Sequence, residues 1–366
     1  MRVFYPGTAA REKSDMNKTG KKVLFSIILV FIVIASIEAG LRVFYRMRTG
    51  RPSHVLPYER AQYIRKILPY SAKGCEAVRK GDFLVANGYY TFYPDMGLTA
   101  GGIARINNIG FRGEDYYVDE GAVRIWCLGG STTFGFGSKR AFSEILQDEL
   151  NREGGKRYKV LNGGVPGMNG QHIYNMLRDR SFAAKVRPDI VILNTYWNTI
   201  EQYENGLLIE TIDNRSMQKF LRSWALAFLI YKGYLFLKYN ELIGPFQALA
   251  LYVDRICAMG KRYGFKVMLL NEPMVQDDKA WMAAPERVEN HMRAGRLFKR
   301  FQERYNDTAV FVPIGFYERF DYKDMDKVNR FFIDKGHLTM EGNEKLVWEL
   351  APVIRRLASK RGDRGA

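Results

Sequence analysis

The chain has 366 residues, 47% hydrophobic and 14% aromatic, and carries a formal charge of +17. That length admits one large domain or two ordinary ones, and the apolar fraction excludes a disordered chain. The charge points to an anionic partner, but the sequence has neither a Cys/His zinc spacing nor a Lys/Arg block interleaved with aromatics, which argues against nucleic acid.

At the N-terminus, Lys18, Lys21 and Lys22 close a basic segment, 1–22, ahead of the uncharged run VLFSIILVFIVIASI over 23–37. Glu38 interrupts the run before Ala39, Gly40 and Leu41. A 19-residue helix over 23–41 would rise about 28 Å, close to the roughly 30 Å of a bilayer core, so a transmembrane anchor is expected there. A cleaved signal peptide is the rival reading, with a buried helix as the third, but ASIEAG is a poor small-x-small cleavage site. Arg42, Arg46, Arg48 and Arg51 make the second flank basic too, so the charge rule is nearly balanced. A first apolar segment commonly exports the chain beyond it, which favours a cytoplasmic N-terminus and an extracytoplasmic remainder: a single-pass protein of a bacterial inner membrane, its main domain periplasmic.

Residues 42–120 show no sustained periodicity and read as an irregular lead-in, with NNIGFRGEDYY (107–117) as its turn-rich end. From 124 the pattern becomes regular. Strand-like apolar runs fall at 124–128, 159–162, 189–196, 265–270 and 309–313. Helical patterns separate them at 142–151, 172–185, 248–263 and 286–305, and a last helix is expected over 341–359. Strands alternating with helices indicate a parallel sheet covered on both faces. The expected fold is therefore α/β: a flavodoxin-like three-layer α/β/α sandwich over 121–358 with a five-stranded parallel sheet, preceded by the transmembrane helix. A helical insertion is expected at about 201–247, and 359–366 reads as a solvated basic tail. Within the insertion, WALAFLIYKGYLFL (224–237) is short for a second span and interrupted by Lys232. It reads as a buried or cap helix on the sandwich, with a helix that touches the bilayer or lines an acyl pocket as the alternative. Of the three cysteines, Cys127 falls in a strand and reads as a small core residue, while a Cys75–Cys257 bridge stays open.

The loop CLGGSTTFGFG (127–137) follows the first strand. As a P-loop it fails, because Phe136 stands where the lysine must be. As a dinucleotide fingerprint it fails too, since Arg140 occupies the third glycine position. A nucleophile at Ser131 requires a base, an orienting acid and donors for an oxyanion. The chain has four histidines, and His54, His172 and His291 lie in irregular or helical surroundings that suit surface or packing roles. His337 stands in FIDKGHLTMEGN, three residues after Asp334 and just before the last helix. Ligand sites in open parallel sheets form beyond the carboxyl ends of the strands. Ser131 follows the first strand, NGGVPGMNG (162–170) the second and NTYWN (194–198) the third, so all gather on one rim. Glycine in the second stretch lets a backbone N–H approach a carbonyl, and Asn198 offers a side-chain amide.

These blocks, GGST, NGG, YWN and DKGH in that order, resemble the SGNH (GDSL-type) hydrolases over roughly 105–358, and INNIGFRG looks like the lead-in of membrane-anchored bacterial members. The resemblance implies a serine esterase acting on ester bonds, with Ser131 as nucleophile, His337 as general base and Asp334 orienting it. It also implies an oxyanion hole from the N–H groups of Ser131 and Gly164 and the Asn198 side chain, with no metal or organic cofactor. Gly130 replaces the aspartate of the GDS form, and Tyr196-Trp197-Asn198-Thr199 replaces the usual G-x-N-D. The Tyr-Trp pair would either pack in the core or form a platform for a sugar ring. The implied substrate is an acylated envelope glycan or lipid; an O-acyltransferase and a non-catalytic glycan-binding or assembly protein are the alternatives. Oligomeric state is not readable from the chain.

Overall fold

The computed structural model describes residues 8–49, 83–86, 89–92, 97–98, 104–202, 208, 212, 214–241, 244–271, 285–314, 330–333 and 336–362. The chain divides into two compact units, Met1–Pro57 with Ile212–Asn240, and Tyr58–Thr211 with Glu241–Ala366.

The larger unit is built on a five-stranded parallel sheet: β5 (Ala122–Gly129), β6 (Arg157–Gly164), β7 (Ile190–Asn194), β8 (Lys266–Leu270) and β9 (Ala309–Val312). Their spatial order is β6-β5-β7-β8-β9, which is 2-1-3-4-5 counted along the chain, the doubly wound flavodoxin-like order. The four strands from β5 to β8 are almost continuously buried or partly buried, as expected where helices cover both faces. On one face Ile125, Cys127, Ile190, Ile192 and Met268 meet α3 (Phe142–Asn151) and α11 (Met340–Gly362) through Leu146, Leu150, Leu346, Leu350 and Ile354. The other face carries the alternate side chains, fully buried Trp126, Leu128, Val191, Leu193 and Leu269 among them. It lies on the side of α4 (Gly170–Arg178), α6 (Tyr196–Glu201), α9 (Gly244–Tyr263) and α10 (Pro285–Arg304).

Several boundaries differ from expectation. The third strand stops at Asn194, and Tyr196 opens α6; Thr199 Oγ1 donates back to the Thr195 carbonyl (2.7 Å), closing the first helical turn. The single helix expected over 172–185 is two, α4 and α5 (Arg180–Val186), because Asp179 between them takes an extended backbone (φ −70, ψ 101). The last helix continues to Gly362, into the stretch read as a tail. Inside the lead-in read as irregular lie two short antiparallel pairs, β1 (Phe83–Ala86) with β2 (Tyr89–Phe92), and β3 (Gly97–Leu98) with β4 (Arg105–Ile106). Cys127 and Cys257 are buried free thiols, and Cys75 lies outside the described residues.

The smaller unit contains α1 (Thr8–Thr49), within which Lys22–Phe44 is long and apolar enough to cross a membrane (mean hydropathy 2.6). It also contains α7 (Arg215–Ser223) and α8 (Ala225–Tyr239), which meet at a bend of 113°.

Candidate active site

The sheet's register sets the site's floor. Gly129 at the end of β5 pairs with Gly164 on one side and Asn194 on the other, so three strand ends stand in one row. Strand order reverses at β5, which makes this row the switch point where ligands bind in such sheets. Ser131 opens a four-residue helical turn, α2 (Ser131–Phe134), seated on that row. Gly135 ends the turn in the left-handed region (φ 79), returning its N–H to the carbonyls of Ser131 and Thr132. The turn sits so close to the sheet that a Cβ on Gly164 would lie 2.2 Å from the Phe134 nitrogen. Only glycine fits there.

His337 is brought to Ser131 by a tight reversal of chain. Phe332 bridges Leu338, and the Ile333 N–H donates to the His337 carbonyl (2.8 Å). Thr132 Oγ1 donates to the Gly336 carbonyl (2.8 Å), tying the reversal to the turn that carries the serine. The Phe136 ring lies against the imidazole, centroids 5.0 Å apart. In this setting His337 Nε2 stands 2.7 Å from Ser131 Oγ. That is hydrogen-bond distance for a general base and its nucleophile. Asp334 lies outside the described residues.

Asn198 is on the same rim. Its Nδ2 donates to the Met168 carbonyl (2.9 Å) and would stand 2.0 Å from a Cβ on Gly130. The residue before Ser131 is therefore glycine because the Asn198 amide occupies the space a side chain would need. An amide nitrogen carries two hydrogens, so one remains beyond the bond to Met168. The Ser131 N–H lies in the first turn of α2, where helical N–H groups have no intrahelical acceptor. Gly164 departs from expectation: its N–H donates to Asn162 Oδ1 (2.9 Å), and its α-carbon is pressed against the Thr133–Phe134 backbone. It is a packing glycine under the serine turn, and its N–H is already engaged.

The other described histidines have partners away from Ser131. His172 is fully buried in α4, where it and Asn169 cap each other's backbone N–H groups, and burial pushes its pKa down to about 3. His291 accepts from Asn271 Nδ2 at Nε2 (2.9 Å) and meets the Tyr196 hydroxyl at Nδ1 (3.0 Å); burial lowers its pKa to about 4. Tyr196 is itself buried, which makes the first half of the Tyr-Trp pair core rather than platform. His54 lies outside the described residues.

Two residues that sequence reasoning did not single out hold the site together. Thr132 is one. The other is Arg112, from NNIGFRG, buried at 3% exposure. Its Nε donates to Glu144 (2.9 Å), Nη1 to the carbonyls of Phe134 and Gly135 (3.2 and 2.9 Å), and Nη2 to those of Ser138 and Lys139 (3.2 and 2.8 Å). The loop behind the serine is wound around one guanidinium. Asn107 shapes the approach, its Oδ1 accepting from the N–H groups of Ile109 and Phe111 (3.1 and 3.0 Å). Among the described residues no set of three His, Cys, Asp or Glu side chains converges as a metal site.

No family model matches the chain, and no curated protein matches it. Solved structures similar to it include an alpha/beta hydrolase enzyme from the metagenome of Lake Arreo, Spain, 14% identical over 63% of this chain and 94% of its own, with a TM-score of 0.40. An acetyl xylan esterase is 14% identical over 63% of this chain and 98% of its own (TM-score 0.40). A lipase/acylhydrolase from Enterococcus faecalis is 16% identical over 63% and 95% (TM-score 0.38). These are distant likenesses, and the chemistry of the site stands on its own distances.

Proposed function

We propose that the protein is a serine hydrolase of the SGNH type, an esterase that removes acyl groups from an envelope glycan or lipid. The observation that carries this reading is the 2.7 Å approach of His337 Nε2 to Ser131 Oγ at the switch point of a doubly wound sheet. Ser131 Oγ attacks the ester carbonyl as its proton passes to His337 Nε2. The tetrahedral oxyanion is met by the Ser131 N–H and the remaining Asn198 amide hydrogen. The alcohol leaves with the proton from His337, and a base-activated water then releases the acid from the acyl-serine. Asp334 is proposed to accept from His337 Nδ1, holding the tautomer that leaves Nε2 free to take the proton.

The apolar Lys22–Phe44 helix is proposed to anchor the protein in the inner membrane of a bacterium, the hydrolase domain on the periplasmic side. Together with the +17 charge this supports an anionic, membrane-proximal substrate. The test is turnover of short- and long-chain nitrophenyl esters by the full chain and by Ser131→Ala, with fluorophosphonate labelling. Labelling at Ser131 and loss of turnover in the variant are expected. Turnover of no ester together with no labelling would overturn the reading.

A further inference from the structure

Helix α8 is apolar on two opposite faces. Ala225, Phe228, Leu235 and Tyr239 are buried, while Ile230, Tyr234 and Leu237 on the opposite side are exposed at 66%, 54% and 82%. Apolar residues on two opposite sides of a helix call for cover on both, and one side of this helix is open. Its neighbour α7 adds exposed Met217 and Phe220, and Trp224 joins the two helices with its ring 6.4 Å from that of Phe220. Arg215, Lys219 and Arg222 are interspersed with them.

The attachment of α8 to α1 says what covers that face. Between Lys22 and Phe44 the only described residues not exposed are Ile34, Glu38 and Leu41, one stripe at the distal end; Val23–Val33 is bare. Glu38 accepts from the N–H groups of Ala225 (2.8 Å) and Leu226 (2.9 Å), the first two residues of α8. Arg42 completes the joint, donating to Glu38 (2.8 Å) and to the Ser223 carbonyl. Glu38 lies 16 residues beyond Lys22, about 24 Å along the helix, which is near the far edge of a roughly 30 Å hydrocarbon core. A carboxylate at that depth is costly unless its oxygens are hydrogen-bonded, and here the start of α8 supplies the donors.

We propose that α7 and α8 form an interfacial membrane element. The Ile230, Tyr234 and Leu237 face lies in the acyl region of the leaflet that α1 exits, and Arg215, Lys219 and Arg222 meet anionic lipid phosphates. The occupant is the lipid bilayer because α8 is fastened by its first residues to the distal end of the membrane-crossing helix, and the basic residues of α7 and the Trp224 junction are those that suit a headgroup boundary. This rests on α1 spanning the membrane, and the test separates the two.

The full chain, carrying Cys75→Ser, is reconstituted in phosphatidylethanolamine–phosphatidylglycerol vesicles with single cysteines at Ile230, Tyr234 or Leu237, each bearing a nitroxide. Val30→Cys in α1 and Glu303→Cys on the larger unit serve as references. Cys127 and Cys257 are buried, and burial pushes both thiols up, so they stay unlabelled. Labels at 230, 234 and 237 are expected to resemble Val30: accessible to oxygen and shielded from a water-soluble nickel chelate. If they resemble Glu303 while Val30 stays shielded, the interfacial element is overturned and the anchor stands. If Val30 itself is open to nickel, the anchor fails and this proposal with it. Spin–spin broadening at these sites that disappears on dilution with unlabelled protein would assign the face to a second copy, and would also overturn the proposal.

Discussion

Arg112 Nη1 donates to the carbonyl of Gly135 at 2.9 Å, across 23 residues of chain, and its four other contacts leave no side of the guanidinium unused. The residue closes the loop that supports Ser131 without approaching the reacting atoms. Its planar fork cannot be copied by an ammonium, so Arg112→Lys is not conservative here. Arg112→Ala is expected to cost about 3–5 kcal/mol of stability, because it leaves four carbonyls and a part-buried carboxylate without their donor. Thermal unfolding of the detergent-solubilised protein measures this, and a melting temperature equal to wild type would refute the role.

Gly130 and Asn198 make a coupled pair. A methyl group at 130 would fall 2.0 Å from Asn198 Nδ2, so the amide must rotate away from its bond to Met168 and from its place on the rim. Gly130→Ala and Asn198→Ala are each expected to lower kcat by about 10²–10³, the usual loss for one oxyanion donor, with small changes in stability. Because both act through one amide, the double variant should be no slower than the worse single. Multiplying losses would show that the two act independently.

The parts of the molecule that are legible in the sequence are those carried by local pattern. Continuous apolar runs between helical segments mark the five strands, and four histidines leave a short search for the partner of Ser131. The features that escape depend on contacts between distant segments. NGGVPG contains three glycines of similar appearance, and only the Gly129–Gly164 register shows that Gly164 lies under the serine turn with its N–H bonded to Asn162. Arg112 sits among turn residues like any surface arginine, and nothing local says that four carbonyls will curl around it. His172 and His291 lie in helical patterns that suit surface or packing roles alike, and only the buried partners of each decide for packing. Tyr196 reads as strand because the apolar run continues past Asn194, but Thr195 and Thr199 begin a helix there.

Thr132 Oγ1 bonds the Gly336 carbonyl and so fixes the reversal that presents His337. Thr132→Val keeps the shape and removes the donor, a loss of about 1 kcal/mol in stability. The larger effect is expected on kcat, with KM little changed, because the imidazole loses its alignment rather than the substrate its contacts. Thr132→Ser restores the hydroxyl and should restore kcat. Equal kcat in all three forms would show that the tie is only structural.

Acid should weaken the fold through His172 and His291. Both have folded-state pKa values, about 3 and about 4, below the roughly 6.5 of an exposed histidine. Between those limits the unfolded chain binds more protons, so stability is full above about pH 6.5 and falls as pH drops towards 4 for His291 and 3 for His172. At pH 5 each contributes a loss of about 2 kcal/mol relative to neutral pH. The difference in melting temperature between pH 7.5 and pH 5 should shrink in His291→Gln, whatever that variant does at neutral pH. An undiminished difference would mean that His291 is not held neutral by burial.

The proposed role of Asp334 has the strictest test, because the Ser131–His337 distance says what a group that orients His337 would have to do. With Nε2 positioned to take the proton of Ser131 Oγ, the other ring nitrogen must carry a hydrogen and give it to an acceptor. A carboxylate there would also stabilise the imidazolium that the proposed reaction forms as the serine attacks. Asp334→Asn keeps the size but replaces the acceptor with an amide that can favour the wrong tautomer. A fall in kcat of about 10⁴ is expected, with fluorophosphonate labelling of Ser131 slowed in parallel and KM nearly unchanged. If kcat stays at the wild-type level, the acceptor on Nδ1 is another group, and Asp334 has no part in orienting the base.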